Sequence, residues 1–283
     1  MPNTNHILKV KQLKTLSILM MFLLVANFSF AQKTKPVEPP KPISKGKDGK
    51  LAYTADEQGN RIPDFSYAGY MAGEKAIPNA TIKVVVPVSK GDATLRIQSA
   101  INYVSKLPIG KDGLRGAVLL EKGIYEVGVT LKIAASGVIL RGSGMGENGT
   151  KIFATGLDRI GVIRILGKNN KVEETPIAIS DSYVPVNSNK INLSNTSGFK
   201  VGDKIVIHRP STKEWIETLK TVEFGGGESA LGWKPGTRDI HFDRKITAIS
   251  GSTITFDAPI TTALDAKFGG ATVSKYQWDG RIS

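Results

Sequence analysis

Between residues 91 and 144 the apolar positions change period, and that change divides the stretch into one helix and a series of short strands. The segment reads GDATLRIQSAINYVSKLPIGKDGLRGAVLLEKGIYEVGVTLKIAASGVILRGSG. Ile97, Ala100, Ile101 and Val104 fall at the 0, 3, 4, 7 spacing of one helical face, and Asp92 stands where an N-cap is needed. Beyond the helix the apolar residues come in runs, 117–120, 124–127, 131–133 and 138–140, separated by turns that carry Gly or polar residues. The gaps are too short for crossover helices. Strands this short, in such quick succession, suit coils stacked in a solenoid, each burying its inward side chains against the next.

The pattern extends on both sides. A strand-like run at 81–86 precedes the helix, and runs at 151–153 and 162–166 continue the coils. From about Ser182 the texture changes. Runs at 191–193, 204–208, 245–249 and 253–256 alternate or stay apolar, with turns at Gly198, Gly202-Asp203 and Gly251-Ser252. They predict a small antiparallel β subdomain over 183–270, inserted between coils, with 272–276 as the strand that rejoins the solenoid. The expected divisions are therefore 1–31, 32–60, 61–182, 183–270 and 271–283.

Residues 1–31 read as a secretory signal. Lys9, Lys11 and Lys14 form a basic region, 16–28 is mostly apolar, and Ser29-Phe30-Ala31 places small residues before a cut after Ala31. The apolar run is shorter than the roughly 20 residues that span a bilayer. A secreted or periplasmic protein with no membrane span after cleavage is expected. Residues 32–50 are rich in Pro and Lys and predict an extended, disordered tether. The chain closes on ATVSKYQWDGRIS directly after a strand-like run, without the polar capping element that solenoids need. It is expected to be the N-terminal portion of a longer protein and inactive alone.

Gly91-Asp92 with Thr94, Ile97-Gln98, Ala100-Ile101, Gly116 to Leu120, Gly123-Ile124-Tyr125 and Leu140 to Gly144, in that order, resemble the N-terminal end of the pectate lyase superfamily, in its rhamnogalacturonase and epimerase-like branch. The resemblance covers about fifty residues and weakens out to about Ile165. It implies an all-β fold, a right-handed single-stranded parallel β-helix of the pectin lyase type, with the helix capping its open end. Asp64 to Tyr70 (DFSYAGY) is similar to a short motif before the cap in secreted β-helix carbohydrate enzymes. Family members are longer than this chain, and their catalytic groove lies on central coils.

Charge narrows the partner. Of the formal +13, three charges fall on the signal lysines and four on 32–50, which leaves +6 on 51–283. A moderately basic folded part suits an acidic polysaccharide such as a polyuronate, and it equally suits ordinary solvated lysines. Nucleic acid is not expected, because the basic run lacks interleaved aromatics and the chain is exported. The chain has no cysteine, hence no disulfide and no thiolate metal site.

Four constellations carry candidate chemistry. Gly144 to Gly149 match GxGxxG, but a β-branched run follows where dinucleotide binding needs a helix, so no cofactor is assigned. Asp239-Ile240-His241-Phe242-Asp243, if extended, puts two carboxylates and an imidazole on one face, for acid–base work, a divalent ion or simply a wetted face. Trp215 and Trp233 flank Gly225-Gly226-Gly227; they either stack on sugar rings or pin the insert, while Arg209, Lys213, Lys234, Arg238 and Arg244 stand ready for carboxylates. His208, at the end of an apolar strand, reads as structural.

The candidate substrate-binding set is thus Trp215, Trp233, Arg238, His241, Asp243 and Arg244, with no metal site and no catalytic residue assigned. The resemblance implies a polysaccharide lyase, whose Lys or Arg base takes the C5 proton of a uronate while Ca²⁺ or basic groups neutralise its carboxylate, or a hydrolase with paired carboxylates. The competing class is a non-catalytic polysaccharide-binding or adhesin-like β-helix. A monomer is expected.

Overall fold

The computed structural model describes residues 41–49, 51–159, 161–223 and 232–282, and the chain divides into two units, Met1–Thr54 and Ala55–Ser283. The signal region and Gly225 to Gly227 lie outside the described residues. In the first unit, where the composition predicts a tether, β1 (Ile43–Lys45) and β2 (Leu51–Tyr53) pair antiparallel. The Gly49 amide closes the turn onto the Gly46 carbonyl at 3.0 Å.

In the second unit, β3 (Ile82–Val86) is followed by α1 (Thr94–Lys106). Six short strands then succeed one another: β4 (Gly116–Leu120), β5 (Gly123–Val127), β6 (Leu131–Ile133), β7 (Val138–Arg141), β8 (Thr150–Ala154) and β9 (Ile163–Ile165). Their pairing is parallel throughout. β4 lies between β3 and β7, β5 beside β8, and β6 beside β9. Ala117 stands next to Ile139, Tyr125 next to Ile152 and Lys132 next to Arg164, so β4-β5-β6 form one coil and β7-β8-β9 the next. This is a parallel β-helix, as the spacing of the apolar runs implies.

The coil core contains Val118, Leu120, Tyr125, Val127, Leu131 and Ile133, and the predicted helix face of Ile97, Ala100, Ile101 and Val104 packs into the same cluster. Burying each large aliphatic side chain contributes about 1.5–3 kcal/mol. The Tyr125 hydroxyl, fully buried, donates to the Val86 carbonyl at 2.7 Å, which satisfies its one polar atom.

Backbone groups explain where α1 sits. β3 covers one edge of β4, while among the described residues β5 and β6 have no strand on that side. Gln98 fills the gap at β6, accepting from the Lys132 amide at 2.8 Å and donating to its carbonyl at 3.0 Å. At β5 the Ala93 amide donates to Glu126 O at 2.8 Å, and the Gly128 amide donates to Thr94 Oγ1 at 3.0 Å. The cap falls one residue after Asp92, the residue expected to supply it. Ala93 is the N-cap, and Asp92 Oδ1 accepts from the Thr94 amide.

The GxGxxG glycines lead into β8, a strand, as read from the sequence. A Cβ on Gly149 would lie 2.2 Å from the Gly144 carbonyl oxygen, so the turn can close only with glycine there. Tyr67 and Tyr70 of the DFSYAGY segment are exposed in 3-10 turns.

The rest of the unit is antiparallel. It comprises β10 (Val172–Glu173), β11 (Ile177–Ala178), β12 (Tyr183–Val184), β13 (Lys190–Asn192), β14 (Lys204–Arg209), α2 (Lys213–Thr218), β15 (Ile240–Ser250), β16 (Thr253–Phe256), β17 (Leu264–Asp265) and β18 (Thr272–Gln277). The strand order is β10-β18-β14-β15-β16-β13, an open path, with β11 also on β18 and a separate β12–β17 pair. β18, read as the strand rejoining the coils, pairs antiparallel with β14, and its Val273 joins Ile205, Ile207, Phe242 and Phe256 in the core of this sheet. Asn60, the last residue of the expected 32–60 linker, is bound here: its Oδ1 accepts from the Tyr183 hydroxyl and the Val186 amide.

Candidate functional site

β14 reads Lys204-Ile205-Val206-Ile207-His208-Arg209, and strand alternation sends its residues to two faces. Ile205 and Ile207 enter the core, and Arg209 shares their side. His208 lies on the other face. Its register partner is His241, so the rings meet across the strands, with centroids 4.6 Å apart and planes within 14°.

Asp239 stands just before β15 and joins both strands. Its Oδ2 lies 2.9 Å from His208 Nε2, while Oδ1 accepts from the backbone amide and the hydroxyl of Ser211, each at 2.7 Å. The Ser211 hydroxyl in turn accepts from the Arg238 amide at 3.0 Å. Burial pushes the Asp239 carboxyl up, but the Ser211 hydrogen bonds and His208 outweigh it and hold the group at about 2. The carboxylate thus sits between hydroxyl and imidazole. An activated serine needs its proton directed at the imidazole, whereas Ser211, 1% exposed, gives it to Asp239. The cluster anchors the loop that starts α2.

That loop sets up a second cluster. Thr212 caps α2, accepting from the Trp215 amide at 3.3 Å, and its hydroxyl donates to the Phe268 carbonyl at 3.2 Å. A Cβ on Gly269 would lie 2.6 Å from Thr212 Cγ2, and its φ of +96° also favours glycine. Trp215 then meets Trp233 in a stack, with centroids at 5.6 Å and planes within 20°. Arg209 Cζ lies 4.1 Å from the Trp215 centroid, and Arg238 Cζ 5.2 Å from that of Trp233. Both indoles therefore carry a guanidinium as well as each other, a run of stacking and cation–π contacts.

The six residues singled out from sequence are not one site. Trp215, Trp233 and Arg238 come together around Arg209. His241 and Asp243 share the exposed face of β15, as their alternation with Ile240 and Phe242 requires. Arg244 is apart from both groups. Its guanidinium donates to the carbonyls of Ala258 and Pro259, each at 2.6 Å, and of Asp243 at 2.8 Å, and it lies over the Phe242 ring. It is held by backbone and is not free to meet a substrate.

Sequence reasoning counted Arg209 as one of five basic residues and missed what distinguishes it. Arg209 is only 5% exposed, and burial pushes its guanidinium below the usual range, against the pull of Asp239. Its Nη1 is buried without a hydrogen-bond acceptor among the described residues. The signal was there: an arginine at the register of Ile205 and Ile207 is a cation on the core side of a strand. Arg209 and Trp215 line a cavity of about 250 Å³ together with Tyr183, Asp265 and Phe268.

Among the described residues no three His, Asp or Glu side chains gather as a metal ion would need, so no Ca²⁺ position is assigned. No helix among them is long and apolar enough to cross a membrane.

No protein-family model matches the chain, and no curated protein matches it. Among solved structures it is similar to the Gp54 tailspike of Acinetobacter baumannii bacteriophage AP22, solved in complex with A. baumannii capsular saccharide, at 12% identity and a TM-score of 0.32 over 66% of this chain. It is also similar to the tailspike gp49 of Pseudomonas phage LKA1, at 16% identity and a TM-score of 0.30 over 64%. A third likeness is to the tailspike gp61 of Pseudomonas phage phi297, at 13% identity and a TM-score of 0.29 over 63%. The chain spans 24% of the length of each.

Proposed function

We propose that the chain is part of a secreted, right-handed parallel β-helix protein that binds acidic, uronate-containing polysaccharide, within a protein that cleaves it as a lyase or hydrolase. The observation that carries this reading is the pair of registered coils, β4-β5-β6 under β7-β8-β9, with α1 on the edge of β5 and β6. That is the arrangement implied by the resemblance to secreted polysaccharide-active β-helices, in which the helix serves as the cap. The net +6 on 51–283 and the guanidinium–indole stack add the groups that carboxylate-bearing sugars call for.

A second reading, a binding protein without catalysis, is favoured by the Ser211–Asp239–His208 geometry. There a grouping of nucleophile, carboxylate and imidazole is spent on structure. No catalytic residue is assigned in either reading.

Incubation of the full-length gene product with polygalacturonate separates the outcomes. New ultraviolet absorbance from unsaturated ends supports a lyase, and new reducing ends without it support a hydrolase. Retention on immobilised polyuronate without either product supports the binding protein. Neither product nor retention contradicts the proposal.

A further inference from the structure

Arg209 presents a problem of satisfaction. A buried cation with an unpaired donor is costly, and such groups in folded proteins are normally paired. The carboxylate that influences it, Asp239, has both oxygens committed to His208 and Ser211. The Trp215 face offers the cation a π surface and no acceptor lone pair. Arg209 also lines a cavity beside Trp215, and an acceptor seated there meets its guanidinium.

The cavity fixes what kind of acceptor. At about 250 Å³ it falls just below the roughly 300–1,000 Å³ of sites for drug-sized ligands, and so has room for a single ring. The planar fork of an arginine matches a carboxylate in two parallel hydrogen bonds. Asp265, also in the lining, disfavours a dianion such as phosphate and can accept from ligand hydroxyls. One of its oxygens is already taken by the Lys267 amide, at 2.9 Å. Tyr183 donates its hydroxyl proton to Asn60 Oδ1 at 2.8 Å, which leaves the oxygen's lone pairs for a further ligand hydroxyl.

We propose that this cavity is a subsite for one hexuronate residue, with its carboxylate on Arg209 and its hydroxyls facing Asp265 and Tyr183. The cavity geometry argues for a monocarboxylate bearing hydroxyls; the choice of a hexuronate among such acids rests on the polysaccharide reading above.

The test is titration of the full chain with D-galacturonate, D-galactose and inorganic phosphate, followed through tryptophan fluorescence and confirmed by equilibrium dialysis. Galacturonate is expected to bind at least about tenfold more tightly than galactose or phosphate. Arg209→Gln is expected to weaken it at least about tenfold, and Arg209→Lys, which keeps the charge without the fork, by less. Thr262→Phe fills the cavity while leaving Arg209 in place, and is expected to abolish binding even where Arg209→Gln fails to fold.

Equal binding of galacturonate and galactose, a preference for phosphate, or unchanged galacturonate binding in Thr262→Phe overturns the subsite. Retention of polyuronate with no monomer bound at this cavity overturns the subsite alone and leaves the polysaccharide reading standing. Monomer bound here with no retention of polymer supports a carboxylate site and overturns the polysaccharide reading.

Discussion

His208 Nε2 and Asp239 Oδ2 lie 2.9 Å apart, and this contact ties the end of β14 to the start of β15. The Asp239 carboxyl is held at about 2 in the folded chain against 3.8 ordinarily. The unfolded chain therefore binds the proton more tightly. The stabilisation is fully present above pH 4 and is lost as the pH falls from about 4 towards 2. It amounts to about 2 kcal/mol. Urea unfolding at pH 7 and pH 2.5 is expected to show that loss in the native chain, and Asp239→Asn is expected to remove this part of it while lowering stability at pH 7. An identical acid slope in the variant contradicts the assignment.

The indole stack is expected to be energetically coupled. Trp215→Ala and Trp233→Ala should each destabilise the chain, and a double-mutant cycle should give an interaction of about 1 kcal/mol. Strict additivity of the two losses would mean that the rings meet without contributing.

Gln98 is expected to matter through β6 rather than through its helix. Gln98→Ala leaves the Lys132 amide and carbonyl without partners and should cost about 1–2 kcal/mol, with faster hydrogen exchange at the Lys132 amide. Leu95→Ala, on the exposed side of the same helix, should change stability by less than about 0.5 kcal/mol. Equal effects of the two changes contradict the edge-pairing role.

Gly149→Ala brings a methyl against the Gly144 carbonyl and is expected to cost about 1–3 kcal/mol in denaturant unfolding. A neutral substitution would show that the Gly144 to Gly149 turn relaxes freely.

The coils were legible in the sequence because their signal is local. Each strand carries its own apolar run, and the helix face of Ile97, Ala100, Ile101 and Val104 needs no knowledge of its partner. The alternation around His241 was legible for the same reason, since Ile240 and Phe242 had to turn inward. Partnership was not legible. Nothing local says that residues 272–277 pair antiparallel with β14, or that Trp215 and Trp233 spend their faces on each other and on two arginines. Arg209 lay between these cases. Its register with Ile205 and Ile207 was visible, but its unpaired Nη1 emerges only once β12, β17 and α2 close around it.

The central claim is that this chain recognises the carboxylates of an acidic polysaccharide. Affinity electrophoresis through polygalacturonate and through its fully methyl-esterified form tests it most directly, because esterification removes the charge and keeps the sugar. The account predicts retardation in the acid form only, relieved by raising the salt concentration. Equal retardation in both gels, or none in either, contradicts it.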